Sequence, residues 1–411
     1  MEFGLIGEHL GHSFSREIHG MLSGASYELR ELSPEELPKF LKDRDFLGIN
    51  VTIPYKRAVM PHLDEISPSA RLSGAVNTIV NRDGRLCGYN TDFDGFIALS
   101  RHAGVDFNGA KVVILGAGGA AGAVAAAALS MGAASVRNAV RTIRTPEQLP
   151  LHDPSVWADC QILVNATPVG MYPDWDSCPV DLDALPNLQG VLDCVYNPLR
   201  TSLVLQAQER VIPSDGGNYM LVGQAVRARE LFDGTSFPES SSEAVYSRIL
   251  KSKRNLVLIG MPSCGKSSTG RLLAARTGRA FIDIDEIISL QAGMEIPEIF
   301  SREGEAGFRL RETAAIESVA TEQGAIIATG GGAVLNDGNV RMLKHNGIIC
   351  LIQRDLALLT PTADRPLSSG RTALEALYTK RLPFYRKAAE VCVSNNGPLE
   401  QTITQLTQYV D

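Results

Sequence analysis

The 411-residue sequence has little cysteine, and what it has is scattered. Its seven cysteines, Cys87, Cys160, Cys178, Cys194, Cys264, Cys350 and Cys392, are odd in number and form no CxxC pair. This argues against a disulfide framework or a thiolate zinc site and fits a reducing, cytoplasmic setting. Basic clusters are missing as well. With 39 Lys and Arg against 46 Asp and Glu the formal net charge is -7, and no basic stripe or tail invites a nucleic acid. The N-terminal stretch MEFGLIGEHL has neither a basic n-region nor a long apolar h-region, so it reads as a first strand and not a signal peptide. The run from Val112 to Val136 carries no charge and is long enough to span a bilayer. It is mostly Ala and Gly, however, and its glycines cut it into strand, loop and helix, so no membrane partner is expected. No internal repeat is evident.

What is present is the balance of a globular chain, 44% hydrophobic and 21% charged, at a length that implies two or three domains. One pattern occurs twice: an apolar strand, a glycine-rich turn and an Ala/Leu-rich helix. It runs from Lys111 to Leu129 and again from Asn255 to Ala275. Each copy reads as the start of a parallel α/β sheet. Residues 1–95 form a further unit of short strands (FGLIG, SYELREL, GINVTIP), with AVNTIVN and RLCGYN as a hairpin about Asp83 and Gly84. The expected organisation is a bilobed first half and a separate second half. Residues 1–95 make one lobe and 96–235 a Rossmann-like lobe, whose last helix (MLVGQAVRARELF) returns to the first. A Ser/Pro-rich linker at 236–253, helical towards its end, leads to a P-loop domain at 254–411.

The first loop, Gly116-Ala117-Gly118-Gly119-Ala120-Ala121, fits G-x-G-x-x-G/A between a strand and a helix. Glycines there let the backbone approach a pyrophosphate, and the helix N-terminus offers free N–H groups. The next strand ends in Arg141, Thr142 and Arg144, where an acid would select the ribose 2′-hydroxyl of NAD. Basic groups suit a 2′-phosphate, so NADP is favoured. The second loop, Gly260 to Ser267, is a complete GxxxxGKS, with Pro262, Ser263, Cys264, Gly265 and Ser268 in or beside it. Its backbone would cradle ATP phosphates, Lys266 would reach their oxygens and Ser267 would bind Mg²⁺.

The first half resembles the shikimate dehydrogenases. The residues that carry the likeness are Gly11-His12-Ser13-Phe14-Ser15, Asn50-Val51-Thr52-Ile53-Pro54-Tyr55-Lys56, Gly74 to Thr78, Asn90-Thr91-Asp92, Asn165, Asp193 to Pro198, and Met220 to Gln224. The resemblance implies that Ser13 and Ser15 hold the substrate carboxylate. It places Thr52, Asn77, Asp92 and Gln224 on the ring hydroxyls and adds Asn50 and Tyr196 to the substrate site, and a hydroxyl-reading site discriminates well. Lys56, paired with Asp92, would meet the negative charge that develops on oxygen when 3-dehydroshikimate is reduced. Cys194 and Gly217 would flank the nicotinamide. Three positions depart from the family pattern. Ala121 stands where an Arg often follows the turn, Val140 where an Asn commonly precedes the Arg-Thr pair, and Cys194 where a Met is frequent. Arg144 also comes one position early.

The second half resembles the shikimate kinases, through Asp283, Asp285, Phe308-Arg309, Glu312, Gly330 to Ala333, Arg365-Pro366-Leu367 and Tyr385-Arg386. The resemblance implies that Asp285 orients the 3-hydroxyl and that Asp283 helps to hold Mg²⁺. Arg309 and Arg386 would clamp the carboxylate, Gly331 and Gly332 would contact the ring, and Arg365 would join Lys266 at the transferring phosphate. The segment from Leu356 to Pro361 lacks the basic residue that often stacks on adenine.

Taken singly, each of these residues has a plainer explanation. Lys56 could be a surface lysine, Asp92 a helix cap, and Arg309 with Glu312 an i,i+3 surface pair. Together and in order they imply two consecutive enzymes on one chain. Alternatives are a dehydrogenase that also accepts quinate, or one half that binds ligand without turnover. Oligomeric state stays open.

Overall fold

The computed structural model describes residues 1–10, 14–238, 240–360 and 370–411. The chain divides into two compact units, Met1–Ile249 and Leu250–Asp411. The division falls inside a helix, Ser240–Lys253, on the stretch expected to link them.

The first unit holds two six-stranded sheets. In one, the order is Tyr27–Glu31, Phe3–Gly7, Gly48–Val51, Thr78–Arg82, Arg85–Tyr89 and Glu65–Ile66. The first three strands are parallel, and Thr78–Arg82 runs antiparallel to both of its neighbours. The hairpin turns on Asp83 (φ 52°) and Gly84 (φ 84°), the two positive φ values that a two-residue turn of this kind needs. The second sheet is parallel throughout, ordered Ser214–Asp215, Gly190–Asp193, Ile162–Asn165, Lys111–Leu115, Ser135–Val140 and Leu149–Pro150. Its central strands are buried on both faces, as parallel sheets require. This is the Rossmann-like arrangement expected from the first glycine loop.

Two helices tie the sheets together. Thr91–Ala103 carries Phe96 and Leu99 into the core, and Asn218–Asp233 lies against it. There Gly95 is needed, because a methyl on it would stand 2.6 Å from the Met220 carbonyl oxygen. Near the end of the second helix Phe232 stacks on Phe3 of the first sheet with ring centroids 5.3 Å apart. Gly122 lets helix Gly119–Ser130 meet the end of helix Pro68–Ser73, since a methyl there would be 2.5 Å from the Ser73 carbonyl oxygen.

The second unit is a five-stranded parallel sheet ordered Phe281–Asp283, Ile326–Ala328, Asn255–Ile259, Gly347–Gln353 and Val391–Ser394. The strand that feeds the P-loop is central and fully buried. All seven cysteines are free thiols. Among the described residues no helix is long and apolar enough to cross a membrane.

Candidate active sites

In the first unit the pairing of Lys56 with Asp92 is set by a helix cap. Asn90 caps Thr91–Ala103: its side chain accepts from the Asp92 N–H (3.1 Å) and donates to the Ala75 carbonyl (2.9 Å). Asp92 is thus not the cap but sits in the first turn, where the helix dipole favours its charge. One of its oxygens accepts from Lys56 Nζ at 2.6 Å and the other from Asn77 Nδ2 at 2.9 Å. Asn77 is fixed in turn by accepting the Thr91 N–H at 2.7 Å. Lys56, which taken singly could have been a surface lysine, is therefore anchored by a nearly buried carboxylate.

These groups face a cavity of about 450 Å³. Ser15, Asn50, Thr52, Lys56, Asn77, Asp92, Tyr196 and Gln224 all line it. Asn50 is bonded to Tyr27 Oη (2.7 Å) and Thr78 Oγ1 (3.0 Å). Gln224 donates to its own helix at Leu221 O (2.9 Å). Cys194, Gly217 and Ala120, of which the first two were expected beside the nicotinamide, line the same cavity. Gly217 packs so tightly on the Cys194 carbonyl that any side chain would collide. Ser13 lies outside the described residues.

The glycine loop turns at Gly116 (φ 100°), whose carbonyl accepts from Asn138 Nδ2 at 2.6 Å. Gly118 and Gly119 face open space at the start of helix Gly119–Ser130, which leaves room for a diphosphate. Gly116, Ala117, Gly118 and Gly119 do not line the cavity itself, and Arg141, Thr142 and Arg144 are exposed past the end of strand Ser135–Val140. Behind the cavity Asp193 accepts from Asn165 Nδ2 (2.9 Å), the Val195 N–H (2.9 Å) and Thr201 Oγ1 (2.7 Å). Burial nevertheless raises its carboxyl from 3.8 to about 7.

In the second unit the loop from Gly260 to Lys266 passes through positive φ at Gly260 (145°), Ser263 (62°) and Gly265 (98°). Lys266 Nζ is buried and donates to the carbonyls of Gly260 (2.9 Å) and Met261 (3.1 Å). Cys264 is buried, and its carbonyl accepts from Asn395 Nδ2 at 2.8 Å. Ser267 Oγ donates to Asp283 Oδ2 at 2.7 Å, a hydroxyl and a carboxylate of the kind Mg²⁺ takes beside phosphates and water. The other Asp283 oxygen caps helix Ile284–Ala292 by accepting the Asp285 N–H, which places Asp285 in the first turn.

A cavity of about 470 Å³ gathers Pro262, Ser267, Asp283, Asp285, Arg309, Gly331 and Gly332. Packing here demands the glycine run. A methyl on Gly330 would stand 2.6 Å from Glu312 Oε1 and 2.8 Å from Asp285 Oδ1, and one on Gly332 would strike the Arg309 guanidinium. Arg309 donates to Glu312 at 2.7 Å. Glu312 is fully buried, and its carboxyl is raised, first by burial and also by Asp285, against the pull of Arg309 and Arg381.

Helix Arg371–Ala388 brings a correction. Arg386 is exposed and lies outside the cavity, whereas Arg381 is 4% exposed and lines it. Tyr385, between the two in sequence, donates its hydroxyl to the Gly331 carbonyl and fixes the helix face that looks inward. Arg381 lines the cavity although the sequence motifs did not single it out, and Glu312, quoted with Arg309 from its motif, is buried beneath that arginine. Arg365 lies outside the described residues, with Pro366 and Leu367.

Comparison with known proteins bears on both cavities. Residues 5–79 match the model of the shikimate dehydrogenase substrate binding domain. Shikimate dehydrogenase (NADP(+)) of Clostridium perfringens is 35% identical over 264 residues, which cover 60% of this chain and 97% of that one. The chain belongs to the shikimate dehydrogenase family. Its C-terminal part, residues 262–411, matches the shikimate kinase model, so a kinase domain follows the dehydrogenase. Solved members of the dehydrogenase family share the fold of the first unit. The Thermus thermophilus enzyme, in complex with NADP(H) and shikimate, has a TM-score of 0.54 at 33% identity, covering 60% of this chain and 99% of its own. A chorismate mutase/shikimate 5-dehydrogenase fusion from Clostridium acetobutylicum reaches 0.57 at 32% identity, covering 60% and 96%. Family membership thus accounts for the ordered motifs that surround Lys56 and Asp92.

Proposed function

We propose that the chain carries out two consecutive reactions of one pathway: reduction of 3-dehydroshikimate to shikimate with NADPH, then phosphorylation of the shikimate 3-hydroxyl by ATP with Mg²⁺. What supports this reading is that Lys56, held by Asp92, and Asp285, in the first turn of its helix, each line a cavity in a unit that also carries a glycine-rich turn at the start of a helix. Its free thiols fit a cytoplasmic setting.

For the first reaction the glycine loop, with Arg141 and Arg144 beyond it, would hold NADPH, which supplies the hydride. Ser15, joined by Ser13, binds the substrate carboxylate, while Asn77, Thr52 and Gln224 take its hydroxyls. Lys56, steered by Asp92, meets the ketone oxygen as negative charge develops there and delivers a proton. For the second reaction Asp285 orients the attacking hydroxyl, and Ser267 with Asp283 would hold Mg²⁺, which neutralises phosphate charge. Lys266 leaves its carbonyl partners for the phosphate oxygens. Arg309 and Arg381, and not Arg386, grip the carboxylate. Glu312 keeps Arg309 pointed at it.

Two variants of the full chain test the assignment. Lys56→Ala should stop NADPH oxidation and leave shikimate phosphorylation intact, and Asp285→Asn should do the reverse. If either change stopped both steps, the two sites would not be separate.

A further inference from the structure

Helix Thr91–Ala103 carries Asp92 in its first turn and His102 in its last. His102 Nδ1 lies 2.9 Å from Asp215 Oδ2, and Nε2 lies 3.6 Å from Glu243 Oε2 on helix Ser240–Lys253. The ring stacks on Tyr219 with centroids 4.0 Å apart, and the Tyr246 ring meets it edge-on at 5.1 Å. The other Asp215 oxygen accepts the Gly216 N–H at 2.7 Å. Gly217 follows, donating to the Val195 carbonyl at 2.8 Å and forming the cavity wall beside Cys194. Helix Asn218–Asp233, which brings Met220 and Gln224 into the cavity, starts at the next residue.

We infer that His102 is a positioning residue of the dehydrogenase, clamping Asp215 so that the Gly216-Gly217 turn holds its place in the nucleotide side of the cavity, and gripping the following helix through Glu243. A phenylalanine would keep the stack on Tyr219. Two carboxylates facing opposite nitrogens of one ring call for an imidazolium, the only form of histidine that donates from both. The charged groups that face the ring are Asp215 from its strand and Glu243 from its helix, with Tyr219 and Tyr246 as the ionisable aromatics against it. The C-terminal turn of its own helix also favours a cation. The Asp215 hydrogen bond, the largest influence, raises the ring above its ordinary value of 6.5. The clamp is therefore complete below that value and loosens as pH rises through the raised one. A neutral ring keeps one donor and turns a lone pair on Glu243.

This inference rests on the reading of Gly217 as part of the NADP site. The test is the pH dependence of KM for NADP and of kcat in the full chain, for the wild type, His102→Gln and His102→Phe. Gln still donates to Asp215 but does not titrate. Wild type should lose cofactor affinity between pH 6 and pH 9 by on the order of threefold more than His102→Gln, because a charge-assisted bond is about twice as strong as a neutral one. His102→Phe should have a raised KM at every pH, with kcat and shikimate phosphorylation little changed. Identical pH profiles for wild type and His102→Gln would overturn the proposal, as would an effect confined to kcat. If no variant turns over with NADP, the site reading fails instead. The clamp is then decided by NMR titration of the His102 ring, whose midpoint should fall when Asp215 is replaced by Asn; an unchanged midpoint sinks it.

Discussion

Replacing Arg381 by Met removes a guanidinium from the kinase cavity while keeping most of the side chain's volume. The residue is 4% exposed, and its Nη1 lies 3.3 Å from where a methyl on Gly331 would stand, so the group reaches the glycine run proposed to contact the substrate. A hydrogen bond to a charged partner is worth about 1.5–3 kcal/mol. Lost from substrate binding, that corresponds to a rise in KM for shikimate of roughly 10- to 150-fold. Arg386→Met is the matched control, because its side chain is exposed and outside the cavity. The assay is steady-state ADP release at varied shikimate and saturating ATP. KM for ATP should hardly move in either variant. A large rise for Arg386→Met together with a near-normal value for Arg381→Met would refute the assignment.

Lys56→Met should lower dehydrogenase kcat by about 10²- to 10⁴-fold, the usual weight of a positioned acid, with phosphorylation unaltered in the same preparation. Asp193→Asn tests the buried carboxyl through thermal melts at several pH values. With its folded pKa raised from 3.8 to about 7, Asp193 favours the native state most at low pH. Its contribution fades as pH climbs through that window, so the wild type should lose stability relative to the Asn variant between pH 4 and pH 7. A constant difference would show that the acid is ionised throughout. Gly122→Ala puts a methyl 2.5 Å from the Ser73 carbonyl oxygen. It should cost about 1–3 kcal/mol despite the better helix propensity of Ala, read as a lower Tm.

Much of this architecture is written locally in the chain. The two glycine loops are contiguous because a backbone that wraps a phosphate must turn within a few residues. The hairpin at Asp83 and Gly84 and the strand–turn–helix at Asn255 to Ala275 are legible for the same reason. Other features depend on which way a helix face turns once packed. Arg386 was the arginine beside Tyr385 in sequence. Five residues at about 100° each, however, put Arg381 and Arg386 roughly 140° apart around the helix. Tyr385, four residues after Arg381, shares its face and shows which side is inward. Taken singly Glu312 could pass for half of a surface pair, because it is covered by Gly330, in the turn after strand Ile326–Ala328 and distant in sequence. The His102 cluster joins residues 113 apart and had no local signature.

The most direct measurement mixes the purified full chain with 3-dehydroshikimate, NADPH, ATP and Mg²⁺ and follows NADPH absorbance together with products by mass. The account predicts stoichiometric NADPH loss and the appearance of shikimate 3-phosphate, with shikimate accumulating when ATP is left out. Failure to consume NADPH, or shikimate that is never phosphorylated, would contradict it.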